Sequence, residues 1–514
     1  MDLAAWQHLE DELDLTTPTL KVELEAVGLT VVVSIFQLAV AYVLPYIVQS
    51  DGANLQAKTY LIFAGWMVFA VAIVFFFLPE TKGRSAAEID EMFEAAVPAR
   101  KFSTTFAAPT SQKHLVRMRE IPTFEEKLAQ ATALGEHKVP GCVVQAVDKT
   151  GKIILSRASG YDSVRPGSER IDPSGTFWLA SCSKLVGAIA ALQCVEAGLV
   201  TLDESLSTTH LQELGELNIL HSADDGSGPA NGEFTYMRPK NYITLRHLLT
   251  HSSGLSYDIS PTLAAWRASR GERSLALSGT VIEAQSAPLL FEPGEGWMYS
   301  GGIDWAGLLV ERLHNVSLEA YMQKHICRPL GLTSMTFRLR EHPEVAARLL
   351  STNERQDTEE FRPSRMLWPE DPVDDVAGAG LFSTVHDFVK VLGDLLKETP
   401  TLLKRETVDQ IFTPQFTKDS ASLKALRENS DVFVGLTGVK GGGDCVNYGI
   451  GAFLYEADSG VVKAGTLIGG GLQNLLWFVN RQQGVAGMMA TQILPPGDPV
   501  TFELARAFVK AMLE

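Results

Sequence analysis

At 514 residues, 46% hydrophobic and 20% charged, the chain exceeds one ordinary domain and has enough apolar surface for a large packed core, which excludes the disordered and fibrous classes. A formal net charge of -17, from 44 Lys and Arg against 61 Asp and Glu, repels phosphate backbones and excludes nucleic acid as the principal partner. Cys142, Cys182, Cys194, Cys327 and Cys445 form no CxxC pair, so neither a disulfide framework nor a zinc ribbon is indicated and a reducing compartment fits.

The N-terminus opens on Asp2 and then Glu10, Asp11, Glu12 and Asp14, the wrong charge for the basic region of a secretory signal. Residues 26–50 and 59–79 carry no charge, and each meets the roughly 20 apolar residues needed to cross a bilayer. They predict a two-helix apolar transmembrane hairpin; a pair of buried core helices is the alternative. Lys21, Lys82 and Arg84 flank the outer ends against Lys58 in the connector, which places the remainder of the chain in the cytoplasm. Without this segment the chain is simply cytoplasmic. The run Pro79-Glu80-Thr81-Lys82-Gly83-Arg84, followed by Glu88-Ile89-Asp90-Glu91 and Pro98-Ala99-Arg100, resembles the last two helices and tail of a major facilitator superfamily sugar transporter over residues 28–102. The other spans and the substrate path between the two halves of such a transporter are missing, so transport by this chain is excluded. The segment is either a membrane anchor or a fusion of two neighbouring reading frames. The expected organisation is a two-span segment over 1–102, a polar linker over 103–113 and one catalytic body over 114–514.

Within that body, Val143–Val147, the turn Asp148–Lys152 and Ile153–Ser156 predict a hairpin. Leu475–Val479, the turn Asn480–Gly484 and Val485–Thr491 predict another near the C-terminus. Helical periodicity runs over Ser183–Glu196, Gly302–Leu313 and Thr501–Leu513. Strands at both ends with helices between them predict a mixed α/β fold.

Four segments carry chemistry. Ser181 follows an apolar run and precedes an almost wholly apolar helix, and Lys184, three residues on, projects from the same face. A serine is a poor nucleophile until a base takes its proton, and a lysine desolvated among apolar neighbours is neutral enough to do so. The alternative is a capping serine beside a surface lysine. Next, Pro293, Gly294 and Gly296 form a turn delivering Tyr299, whose phenol, loosened by a lysine ammonium, could relay protons; the alternative is a packing tyrosine. Third, the glycine-rich run Gly465–Leu472 enters the strand Leu475–Val479, as a backbone edge that something approaches closely. Its N–H groups, with that of Ser181, could form an oxyanion hole. A phosphate loop is excluded because no Lys-Ser/Thr pair follows. Fourth, His247 and His251 have metal-ligand spacing, but HExxH lacks its glutamate and a third ligand, so a structural helix end is expected and no metal.

Together Ser181-Cys182-Ser183-Lys184, Leu248-Leu249-Thr250-His251-Ser252-Ser253-Gly254-Leu255, Tyr299 before Ile303-Asp304-Trp305-Ala306-Gly307, Gly378-Ala379-Gly380-Leu381-Phe382-Ser383-Thr384, and Gly470-Gly471 before Asn474 resemble the serine β-lactamase and penicillin-binding-protein superfamily. The likeness covers about residues 115–514 and is greatest to its class C-like esterase and transesterase branch, in particular the lovastatin-type side-chain acyltransferases of fungal polyketide pathways. The resemblance implies a β-lactamase/transpeptidase-like fold, an antiparallel sheet with flanking helices and a helical region. It also implies Ser181 as the acyl-enzyme nucleophile, Lys184 and Tyr299 as the acid/base pair, and an oxyanion and substrate edge at Gly470, Gly471 and Leu472, with the N–H groups of Ser181 and Leu472 as donors. No cofactor is implied. Two departures matter: Tyr299-Ser300-Gly301 stands where many relatives have Tyr-x-Asn, and Gly469-Gly470-Gly471 stands where β-lactamases have Lys-Thr-Gly. The second removes the cation that pairs with a β-lactam carboxylate. The expected function is acyl transfer from a thioester or ester donor, carried on an acyl carrier protein or coenzyme A, to the hydroxyl of a small apolar metabolite in secondary metabolism. A carboxylesterase is the alternative within enzymes, and a catalytically inactive, membrane-tethered binding module the alternative outside them.

Overall fold

A computed structural model of the chain describes residues 123–133, 138–221, 234–358, 360–429 and 443–514. The apolar stretches 26–50 and 59–79, the transporter-like tail and the linker 103–113 lie outside the described residues. The chain divides into two units, residues 1–120 and 121–514, and every described residue belongs to the second. Among the described residues no helix is long and apolar enough to cross a membrane.

Helix α1 (Phe124–Ala131) starts on a reciprocal cap: Thr123 Oγ1 accepts the Glu126 N–H at 3.3 Å while Glu126 Oε2 accepts the Thr123 N–H at 2.8 Å. The predicted N-terminal hairpin forms as β1 (Gly141–Asp148) and β2 (Ile153–Gly160). Its turn is closed by Asp148 Oδ1, which accepts the Thr150 N–H at 2.8 Å. Near the C-terminus come β3 (Val446–Tyr448), β4 (Phe453–Tyr455), β5 (Thr466–Gly471), β6 (Leu475–Asn480) and β7 (Val485–Ala490). They join the first hairpin in one seven-stranded antiparallel sheet of order β2-β1-β7-β6-β5-β4-β3. The two ends of the body meet where β1 pairs β7, with Val143 opposite Ala490 and Asp148 opposite Val485.

Inward of the exposed edge strand β2 both faces of the sheet are covered, and strand alternation decides which residue goes where. Val143, Val147, Leu475, Trp477 and Val479 point to one core, which they share with α2 (Ser183–Glu196), α4 (Gly302–His314) and α5 (Val385–Asp394). Between α2 and α4 in the chain lies the short α3 (Leu245–Leu249), whose leucines join the same core. Cys142, Val144, Ala146, Leu476 and Phe478 point to the other, against α1 and the C-terminal α6 (Pro499–Leu513). Burial on both faces explains why these strands read as continuous apolar runs. The result is a mixed α/β body with an antiparallel sheet and flanking helices, as the sequence predicts. Helix α2 is central, with Ser183 through Leu192 all buried.

Candidate active site

Ser181 lies in a single 3-10 turn, Ala180–Cys182, that runs directly into α2. Ala180 adopts a left-handed φ of 45°, a conformation that costs a non-glycine residue about 1–3 kcal/mol and persists only where the surroundings enforce it. Ser183 enforces it. Its hydroxyl donates to the Ala180 carbonyl at 2.6 Å and accepts the Leu381 N–H at 3.1 Å. The kink leaves Ser181 half-buried while Ala180, Cys182 and Ser183 are buried.

One turn along, Lys184 is only 2% exposed. Its Nζ donates to Ser181 Oγ at 3.2 Å, to the Tyr257 hydroxyl at 2.9 Å and to the Gly378 carbonyl at 2.8 Å. An ammonium has three N–H donors, and these three oxygens use them all. On losing its proton the amine keeps two N–H groups for Tyr257 and Gly378 and turns its lone pair toward the Ser181 hydroxyl. Burial lowers the Lys184 pKa to about 8, against the opposing pull of the Asp304 carboxylate. Asp304 in turn is pushed up to about 6 by its own burial, and it accepts the Gly378 N–H on Oδ1 at 2.6 Å.

Tyr299 sits just before α4 with its phenol beside Ser181, whose hydroxyl partly offsets the effect of burial on the phenol's proton. The Lys184 ammonium lies over its ring face, 4.8 Å from the centroid. Here the structure corrects an expectation: burial tightens the Tyr299 proton, raising its pKa, and lysine does not loosen it. At neutral pH the residue is therefore a phenol that can donate, while Lys184 is the group prepared to accept. His251 brackets Tyr299 on both sides, its carbonyl accepting the Met298 N–H at 3.0 Å and its Nδ1 the Ser300 N–H at 3.3 Å. Burial and Lys184 hold that imidazole neutral, its pKa well below the usual value. The other histidine of the pair, His247, closes the start of α3 by accepting the Thr244 N–H at 3.4 Å on Nδ1.

Strand β5 passes beside the nucleophile's turn. A Cβ on Gly471 would lie 2.5 Å from the Leu179 carbonyl and 3.3 Å from Cys182 Sγ, so only glycine lets the strand edge come this close. Gly470 and Gly471 end the strand, and Leu472 follows, half-buried against the cluster of Trp178, Trp368 and Phe382. Of the sequence-predicted residues, Ser181, Lys184 and Tyr299 meet directly and the glycine edge abuts their turn. Sequence reasoning missed Tyr257, 73 residues from the lysine it binds, and the carbonyl of Gly378, 194 residues away. Neither position carried a local signal for that contact.

Comparison with known proteins agrees with this geometry. Residues 123–510 match the model of the Beta-lactamase family, and residues 21–93 match that of the sugar (and other) transporters. The acyltransferase calJ of Penicillium decumbens is 35% identical over 411 residues, 75% of this chain and 96% of that protein. The lovastatin esterase of Penicillium rubens is 34% identical over 387 residues, 71% of this chain and 92% of that protein. The solved structure of unliganded simvastatin synthase from Aspergillus terreus superposes with a TM-score of 0.68 at 30% identity, covering 76% of this chain and 97% of that one. A seven-stranded antiparallel sheet, a serine at the head of its central helix and a match through residues 123–510 place the chain in the Beta-lactamase family.

Proposed function

We propose that the protein is a serine acyltransferase working through a Ser181 acyl-enzyme. Neutral Lys184 takes the hydroxyl proton as Ser181 Oγ adds to the acyl carbonyl. The Tyr299 phenol and the lysine return a proton to the departing thiol or alcohol, and the same pair then deprotonates the incoming alcohol, which takes the acyl group. Backbone N–H groups of Ser181 and Leu472, beside Gly470 and Gly471, stabilise the oxyanion. The Lys184 amine held 3.2 Å from Ser181 Oγ in a buried site is the observation that carries this reading.

An acyl thioester on a carrier protein or coenzyme A is the proposed donor. A small apolar, polyketide-type alcohol is the proposed acceptor, supported by the names of the calJ acyltransferase and of simvastatin synthase and by the apolar cluster around Leu472. Hydrolysis is the second reading, favoured by the 34% identity to a lovastatin esterase. The uncharged stretches 26–50 and 59–79 support membrane association with the catalytic body in the cytoplasm. Intact-mass analysis after a fluorophosphonate probe tests the nucleophile: one adduct on Ser181 is expected, and an unlabelled, folded protein would favour the inactive binding module.

A further inference from the structure

Gly301 stands two residues after Tyr299, where the Tyr-x-Asn pattern has its amide. The space beside it is filled. A Cβ on Gly301 would lie 2.1 Å from the amide carbon of Gln285, 2.2 Å from its Oε1 and 2.4 Å from its Nε2. The Gly301 backbone, at φ -81° and ψ 24°, is open to any residue, so the glycine is required by the Gln285 side chain and not by its own conformation. Gln285 ends the short helix Ile282–Gln285 and is 3% exposed. Its main-chain carbonyl accepts the Trp305 indole N–H at 3.3 Å, which holds it against α4.

From that amide a line of hydrogen bonds runs to the nucleophile. Gln285 Nε2 donates to Asp304 Oδ2 at 3.1 Å, Asp304 Oδ1 accepts the Gly378 N–H at 2.6 Å, and the Gly378 carbonyl accepts Lys184 Nζ at 2.8 Å. Gly378 has no room for a side chain either: a Cβ there would lie 2.4 Å from Asp304 Oδ1 and 3.3 Å from Lys184 Nζ. A carboxylate this deeply buried is retained only while its oxygens are bonded, so the Gln285 amide and the Gly378 peptide together fix Asp304.

We propose that Gln285 is a positioning residue of the acyl-transfer centre, its amide occupying the place beside Gly301 and fixing Asp304, which through the Gly378 peptide holds Lys184 on Ser181. The proposal rests on the Ser181 acyl-enzyme reading. Lys184 is also faced by Cys182 from its own turn and by Tyr257, Tyr299 and His251 from the segments packed against α2. Burial keeps the Cys182 thiol and both phenols protonated and the imidazole neutral. Asp304 is therefore the charged member of this group, and its placement sets how tightly Lys184 holds its proton.

A swap of the amide tests it. Gln285→Ala, Gly301→Asn and the double variant are compared with wild type for the pre-steady-state acylation rate with a p-nitrophenyl ester, the pH profile of kcat/KM and thermal melting. Gln285→Ala is expected to slow acylation by about tenfold or more, with KM changed less than kcat. It moves the acid limb of the profile to lower pH, because an Asp304 that has lost a donor gains a proton more readily and no longer supports the lysine's charge. Gly301→Asn alone is expected to be slow as well, since its Cβ collides with Gln285. The double variant, with the amide delivered from the other side of the same space, is expected to recover both rate and acid limb, a coupling that independent structural damage does not produce. If Gln285→Ala melts early, Gln285→Met keeps the volume without the amide and carries the same expectation. A folded Gln285 variant with wild-type rate and limb, or a folded double variant slower than both singles, overturns the proposal. Wild type is the control: if it forms no acyl-enzyme both readings fall, whereas an acylated wild type with unaffected variants removes only the role of Gln285.

Discussion

Lys184 donates to the Tyr257 hydroxyl at 2.9 Å, a shorter contact than the 3.2 Å it makes with Ser181 Oγ. Tyr257 thus shares with Gly378 the task of aiming the amine, and its own phenol stays protonated because burial and the Asp304 charge raise its pKa. Tyr257→Phe leaves the amine one partner short and free to rotate its lone pair away from the serine. Acylation is expected to slow by roughly tenfold with little change in KM, whereas Tyr299→Phe, which removes the phenol hydroxyl beside Ser181, is expected to cost roughly a hundredfold or more. Stopped-flow bursts with a p-nitrophenyl ester measure both. Equal losses would mean the two tyrosines do the same work.

Ser181→Ala is expected to abolish acyl-enzyme formation and leave the melting temperature nearly unchanged. The Ser181 side chain caps nothing; the turn is pinned instead by Ser183 through Ala180 and Leu381. Even a lost cap would cost only about 1 kcal/mol. The contrasting variant is Ser183→Ala, which removes both of those bonds in a buried site and is expected to destabilise by about 1–3 kcal/mol. A Ser181→Ala protein that still gains the mass of a fluorophosphonate adduct at the active site would place the nucleophile elsewhere.

The pH dependence follows from the buried lysine. A general base must be neutral, and the Lys184 pKa stands at about 8, so kcat/KM is expected to rise with pH up to that region and then level off. Below it the protonated fraction grows, and the rate falls about tenfold per pH unit. Lys184→Arg keeps a positive charge and the donors but cannot give up its proton, so it is expected to be inactive across the whole range. An acid limb near the ordinary carboxylate range, retained in Lys184→Arg, would assign the base to another residue.

These expectations show which parts of the molecule its sequence discloses. Ser181 and Lys184 are legible because three residues of helix bring them together, and the two terminal hairpins are legible because apolar runs flank polar turns. Their pairing across β1 and β7 is not local, and neither is the Lys184 cradle: Tyr257 and Gly378 reach it from loops 73 and 194 residues away. The sequence marked Asp304 only as one letter of a motif. Its chemistry comes from burial at 1% exposure against the Gly378 peptide, which no periodicity announces. Likewise Ala180 looks like ordinary strand-to-helix filler until its left-handed φ is seen.

Deleting residues 1–102 is expected to give a soluble, active protein. The first described helix caps itself at Thr123, and the family match begins at the same residue, so the catalytic body has its own start. Fractionation of the full-length chain tests the other half of the expectation: the uncharged stretches 26–50 and 59–79 should carry it into the membrane fraction, from which the truncated form is absent. Recovery of the full-length protein at native size in the soluble fraction would remove the anchor.

The preference for an alcohol over water follows from the strand beside the nucleophile. A β-lactam or D-alanyl peptide offers a carboxylate that needs a cation on this edge, and the position where the Lys-Thr-Gly lysine would stand is Gly469. It pairs across the sheet with Trp477, and a Cβ there would lie 2.8–2.9 Å from three atoms of that indole. Trp477 is 2% exposed and belongs to the main core, so Gly469→Lys is expected to destabilise the protein by about 1–3 kcal/mol through overpacking and to gain no β-lactamase activity. An edge without a cation, leading to Leu472 and the Trp178–Trp368 stack at 5.7 Å, suits neutral, bulky acceptors. A bound apolar alcohol excludes water from the ester and is held at attacking distance, which raises its effective concentration. Short acyl thioesters or p-nitrophenyl esters are therefore expected as donors, with turnover accelerated by a hydrophobic alcohol, the acylated alcohol as the main product, and cephalosporins left essentially intact. Product analysis by mass spectrometry decides it: free acid as the sole product, unaffected by any alcohol, together with efficient cephalosporin hydrolysis, would assign the protein to the hydrolases of its family.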